Sequence, residues 1–527
     1  MKNRSLLWAC GCTLLLQSLL TTSLAKAQPA NGLASPQPES SHDNLEDSWL
    51  LKPADAPEFQ TRTRELTLYP QAEPRPALKH QFLPDAFETL PGNSAIYYLK
   101  ALGFLEQHNA RDKLTQVQQD AVARARREDK EISTVAPFVW VSTPPQQLPV
   151  EEVKEYLSLT SFQTSFLREA AARLEFKLDR NIRGAEDLIG YLLPEIQNLR
   201  ELARTNSIRC RLAIAENRTE DALEIVGQQF ALGHHLGQDD FYVSNLVGIA
   251  IASIGWNDLL YLLEQPETPN LYWAIASLPK PLVSMERAAA VERQILYQQI
   301  RPLQEVTEEL RPVGYWQDFL DRISQHENSL NVALPNSGHT PQDRRSAMVA
   351  MIAASYPSAK AYLIDELGMP LDDVEAYPTA QAVFLAAVRF YDQWRDEFFK
   401  WKEIPFWQVQ QSNNADELAQ RFNQAVEQAG WFAQLAKELL PATYAIQDAQ
   451  LRVQQQIAMA QTVEAIRMYA AAHAGQLPPT LQDLDLPAPV DPATAQNFQY
   501  QLEQGRGVLT GDPVGRLQTR LIIRLVP

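Results

Sequence analysis

From residue 93 onward, apolar residues recur every three to four positions through most of the chain, the pattern of helices buried along one face. Asn93 predicts an N-cap, with Ala95, Ile96, Leu99, Leu102 and Leu105 following at helical spacing. Further helices are expected over 149–159 and over 161–178, the second with Phe162, Phe166, Ala170 and Leu174 on one face. The clearest pattern lies at 194–237. Ile196, Leu199, Leu202 and Ala203 form a stripe that Ile208, Leu212 and Ala215 prolong, and Asn217-Arg218 predicts a turn. Thr219 is then expected to cap a second helix with Ala222, Leu223, Val226, Phe230 and Leu232 inward, ending near Gly233 or Gly237. A very apolar third helix follows over 243–263. Helical spacing continues through 284–309, 316–329, 341–367, 379–402, 414–437 and 443–474, with 372–378 as a connector.

The periodicity changes after Ala474. Three short alternating runs, 498–502, 507–510 and 521–525, predict strands of a small antiparallel sheet packed on the helix through 474. Before residue 93 regular patterning is sparse. Residues 61–92 carry one strand-like run, 66–69, expected to lie extended over the surface of the main domain. Residues 28–60 are rich in Pro, Ser, Asn and Asp and read as a tether.

The first 27 residues have the parts of an export signal. Lys2 and Arg4 are basic, an apolar stretch runs over 6–24, and Ala25-Lys26-Ala27 supplies the small-x-small pattern for cleavage after Ala27. The expected organisation is therefore leader 1–27, tether and extended segment 28–92, all-α domain 93–440, and long helix plus sheet 441–527. The fold class is mainly α, with a small α+β module at the C-terminus. Losing the leader's three basic residues takes the formal charge from −17 to about −20, which disfavours nucleic acid as a partner. The stretch 243–263 is interrupted by Asn245, Asn257 and Asp258, so no stable membrane span is expected after cleavage. One cysteine, Cys210, remains, so packing rather than disulfides must hold the fold.

Two resemblances follow. The hairpin at 194–237, with a tight turn and a small Ala222 just inside its second helix, resembles a degenerate tetratricopeptide hairpin. Thr462-Val-Glu-Ala-Ile-Arg-Met-Tyr-Ala-Ala-Ala-His473, Gly475-Gln-Leu-Pro-Pro, Asp491-Pro492 and Phe498-Gln-Tyr500 together resemble the C-terminal half of a type II secretion major pseudopilin. Leu246-Val-Gly-Ile-Ala-Ile-Ala252, Pro269-Asn-Leu-Tyr-Trp-Ala274, Phe399-Lys-Trp401 and Pro405-Phe-Trp407 are similar to uncharacterised exported helical proteins of planctomycete bacteria. These resemblances imply secretion and a helical body and imply no chemistry. An ordinary leader stands where a pseudopilin has its methylated helix, and Ala495 replaces the glycine usual after the Asp-Pro turn.

Candidate chemistry is sparse. His234-His235 with Asp239-Asp240 is the one cluster of metal-ligand types, but adjacent helical histidines point about 100° apart, and a helix C-terminus followed by an acidic helix start is the favoured reading. Cys210 lies between Arg209 and Arg211, which would lower a thiol pKa, unless it is a core cysteine. Tyr391, Trp394, Phe398 and Trp401, with Trp407 nearby, make an aromatic stripe that reads as core or as a ligand groove. The acidic pairs Asp365-Glu366 and Asp372-Asp373 lack the glycine of a calcium loop and read as solvated. No cofactor motif is present. The expectation is an exported, periplasmic or extracellular, non-enzymatic helical scaffold that binds protein partners in the envelope. The alternatives are an exported hydrolase with a fold-assembled His/Asp site, and a structural envelope component.

Overall fold

The computed structural model describes residues 59–103, 110–180, 194–325, 340–411, 414–440 and 442–526. The leader with Ala25 and Ala27, the tether through residue 58 and Leu105 lie outside the described residues. The protein is mainly helical with a small four-stranded sheet. Its described residues fall into two compact units. One comprises 59–178, 194–288 and 448–526, the other 289–447 with 179–180, so the helical stretch 93–440 is shared between both.

In the first unit the sheet is formed by β1 (Gln60–Leu68), β4 (Gln499–Glu503), β5 (Arg506–Thr510) and β6 (Leu517–Leu525), in the order β1-β6-β5-β4. The three C-terminal strands are antiparallel, as their alternation predicts. β1 does not lie over the surface as expected. It pairs parallel with β6, Leu66 opposite Ile523 and Leu68 opposite Leu525. The reason is burial at period two: Leu66 and Leu68 turn into the core beside Leu521 and Ile523, while Gln60–Arg64 stay largely in water. A shorter parallel pair joins β2 (Leu90–Asn93) to β3 (Arg173–Glu175).

Helix Ser94–Ala101 starts where expected, with the Asn93 side chain accepting from the Ala95 N–H. Its buried face differs from the predicted one: Ser94, Ala95, Tyr98 and Ala101 point inward and Ile96 is exposed. The expected helix over 161–178 is Gln163–Ala171 only, because Arg173–Glu175 leave as β3, and Leu174 is exposed.

The helical hairpin expected at 194–237 forms as Pro194–Ala215 and Thr219–Leu236, turning through Asn217 at φ 57°, and Tyr242–Leu263 packs against both. Thr219 opens the second helix without a side-chain capping bond. Two of these helices approach so closely that a Cβ on Gly248 would lie 2.8 Å from the Gly233 carbonyl oxygen, so only glycine fits there. Tyr242–Leu263 and Pro341–Glu366 are each long and apolar enough to cross a membrane. In this fold Tyr242–Leu263 is mostly buried in protein. Its Asp258 accepts from the Ser207 hydroxyl at 2.8 Å and lies 3.5 Å from the equally buried Arg211.

The second unit is helical throughout its described residues. The expected helix over 284–309 is broken into Glu286–Glu292, Ile295–Gln299 and a 3-10 turn at Arg301–Glu305. Val313–Ser324, Pro341–Ala361 and Thr379–Phe399 are its main pieces, the second opened by a capping box between Thr340 and Asp343. A wider π-type turn, Tyr362–Glu366, ends at Gly368 (φ 68°), and the expected connector 372–378 contains a short helix, Leu371–Ala376. Gly430 (φ 69°) interrupts the helix expected over 414–437.

Candidate interaction cleft

The histidine cluster folds as a helix end. His235 is buried, and its Nε2 lies 2.7 Å from the Arg173 carbonyl oxygen, which can only accept, so Nε2 carries the proton. Nδ1 then accepts from the Tyr98 hydroxyl at 2.8 Å. Both nitrogens are used, and burial pushes the imidazole pKa down to about 4, keeping the ring neutral. His234 gives its Nδ1–H to the Leu282 carbonyl at 2.9 Å, and Asp240 pairs with Arg287. Asp239 is buried. Among the described residues, no group of three or more metal-ligating side chains converges. These residues instead tie the end of the hairpin to β3 and to the segment around Leu282.

The other candidates are also structural. Cys210 is buried against the Ala222 carbonyl, and burial raises its thiol pKa well above the usual range, opposite to an activated nucleophile. Tyr391, Trp394 and Phe398 are core, with Phe422 ringed at 5.1 Å from Trp394 and 5.2 Å from Phe398. Trp401 and Trp407 are half-buried. Tyr391, Trp394 and Phe398 are thus spent in packing.

A concave site does lie elsewhere in the second unit, at residues with no motif. A cleft of about 730 Å³ is lined by Leu310, Leu367, Met369, Pro370 and Ala376, with Tyr377 and the charged groups Glu308, Asp373 and Arg389. That volume falls within the range of ligand-binding pockets. Leu310 is 57% and Leu367 37% exposed, and Val313 and Leu371, beside them in the chain, are also open to solvent. Two leucines left in water within one concavity mark a binding surface more strongly than scattered ones do.

The cleft is built rigidly. Gln381, fully buried, donates to the carbonyls of Thr307 and Glu309 and accepts from the Arg311 N–H and the Trp316 indole N–H. Four bonds from one buried side chain thus fix the loop bearing Glu308 and Leu310. Tyr377 adds a bond from its hydroxyl to the Glu308 carbonyl at 2.8 Å, and Arg389 pairs with the Glu308 carboxylate at 2.7 Å. On the other wall, the left-handed Gly368 turns the chain out of the helix into Met369-Pro370. Sequence reading missed the cleft because its lining comes from four separate stretches. Leu367-Gly-Met-Pro370 between two acidic pairs was the available signal.

The fold and this cleft define a mainly helical protein with a small sheet-bearing module and a concavity of mixed aliphatic and charged lining. No family model, curated protein or solved structure matches the chain.

Proposed function

We propose that the protein is an exported, non-enzymatic scaffold of the cell envelope that binds protein partners through the cleft of its second unit. The observation that carries this reading is a concave surface held open by Gln381 with Leu310 and Leu367 left in solvent. Preorganised walls lower the ordering cost of association, and exposed aliphatic side chains supply the surface to bury. The exported location rests on the leader at 1–27. The acidic charge of the chain argues against nucleic acid as a partner, and the buried pair of Asp258 with Arg211 of the neighbouring helix supports Tyr242–Leu263 as a packed core helix over a membrane span.

The C-terminal segment is read as a pseudopilin-like module placed behind an ordinary leader. Ala495 sits at φ 57°, the conformation glycine normally fills, and this supports the resemblance where the sequence departs from it. Affinity capture from envelope extracts tests the scaffold, with metal analysis of the same purified protein. A reproducible partner lost in the Leu310→Asp/Leu367→Asp variant is the expected result. Stoichiometric zinc and no partner would overturn it.

A further inference from the structure

Resting on the scaffold reading, we propose that the cleft takes an extended peptide segment of the partner in which an aliphatic side chain stands next to lysine or arginine. Two independent features of the lining converge on this chemistry. The apolar part, Leu310, Leu367, Met369, Pro370 and Ala376, suits an aliphatic group, with a methionine able to adjust its shape. The charged part is unbalanced. Arg389 is committed to Glu308, which leaves the Asp373 carboxylate in the lining with no cationic partner among the described residues.

The imbalance extends past the cavity. Asp365, Glu366 and Asp372, chain neighbours of the lining residues, are exposed and form no ion pair with any described cation. Like charges grouped along this stretch of chain raise the local negative potential, favour a basic ligand and repel an acidic one. Val313 and Leu371, exposed close in the chain to the lining leucines, offer further apolar surface to a segment that extends beyond the cavity. An alternative small apolar ligand would have no use for the carboxylates, and nucleic acid would be repelled by them.

The test uses the full chain and fluorescein-labelled peptides with a Lys-Leu-Lys core, against the same peptides with Glu-Leu-Glu, followed by anisotropy at low and high salt. The basic peptide is expected to bind at least tenfold more tightly, and to weaken several-fold at high salt because the rim charges are exposed. Asp373→Asn, at an exposed position that leaves the fold intact, is expected to weaken it at least threefold. Equal binding of both peptides, or an unchanged affinity in Asp373→Asn, would overturn the proposal. Should envelope capture still depend on Leu310 and Leu367 while the basic peptide does not bind, the peptide inference falls and the scaffold stands. If capture is indifferent to those leucines, the scaffold reading itself falls.

Discussion

The carboxylate of Glu464 takes the guanidinium of Arg467 at 2.7 Å, and both side chains are completely buried. The pair gathers two segments onto helix Ala442–Ala472. Glu464 also accepts from the Leu271 N–H at 2.6 Å, while Arg467 donates to the carbonyls of Tyr69 and Thr268 at 3.0 and 2.9 Å. The chain leaving β1 and the loop after Tyr242–Leu263 are thus held by one ion pair within the long C-terminal helix. Arg467→Ala is expected to destabilise the protein by roughly 3–5 kcal/mol in urea titration, since it strands a buried carboxylate. Replacing both residues with apolar ones should recover little, because the carbonyls of Tyr69 and Thr268 and the Leu271 N–H lose their partners as well.

His235 makes stability pH-dependent. Its pKa is about 4 in the fold against an ordinary 6.5, so as pH falls the unfolded chain takes up the proton first. Stability is therefore fully present above pH 6.5, is lost between 6.5 and about 4, and falls no further below that from this group. The loss amounts to roughly 3 kcal/mol. His235→Gln carries no titrating group, so the stability gap between the two proteins, measured by thermal melts from pH 7.5 to 4, should narrow by that amount.

The glycine contact between helices Thr219–Leu236 and Tyr242–Leu263 tolerates no methyl group. Gly248→Ala would place Cβ 2.8 Å from the Gly233 carbonyl oxygen and 2.9 Å from the Leu236 Cβ, and backbone on one side cannot give. A loss of about 1–3 kcal/mol is expected, read as a lower melting temperature.

At the Asp-Pro turn the effect runs the other way. Ala495 holds φ 57° while the buried Asp491 accepts from the N–H groups of Ala493 and Asp512 and from Gln455, fixing the turn to the long helix. Ala495→Gly relieves a left-handed alanine and is expected to raise stability by up to about 1 kcal/mol. Asp491→Ala should cost roughly 1–3 kcal/mol by leaving buried donors unpaired.

Gln381 links stability to the cleft. Gln381→Ala removes bonds to Thr307, Glu309, Arg311 and Trp316 at once, so the Glu308–Leu310 wall should loosen. Faster amide exchange over 307–311 and weaker partner capture are expected, with the first unit's unfolding transition unchanged.

The helices, the 194–237 hairpin and the three C-terminal strands were legible because each has a local signal: a 3.6 or 2.0 period, a cap or a left-handed turn residue. What local pattern could not supply was pairing across the chain. β1 finds β6 more than 450 residues away, and its two leucines alone do not announce a parallel neighbour. Helix Ser94–Ala101 rotates its buried face toward Tyr98 because the hydroxyl is needed by His235, a partner 137 positions distant. Glu464 and Arg467 are visible in the sequence as charges among Val463, Ala465 and Ile466, yet only their distant backbone partners explain them. The cleft was illegible for the same reason, since exposed leucines become a site only when the fold gathers them.

The account rests most on that cleft, and a photo-crosslinking residue placed at position 310 in cells producing the protein tests it most directly. The control is the same residue at position 349, an exposed valine of the same unit outside the lining. A discrete protein adduct from position 310 and none from position 349 is the predicted result. Adducts of equal yield from both positions, or none from position 310, would contradict it.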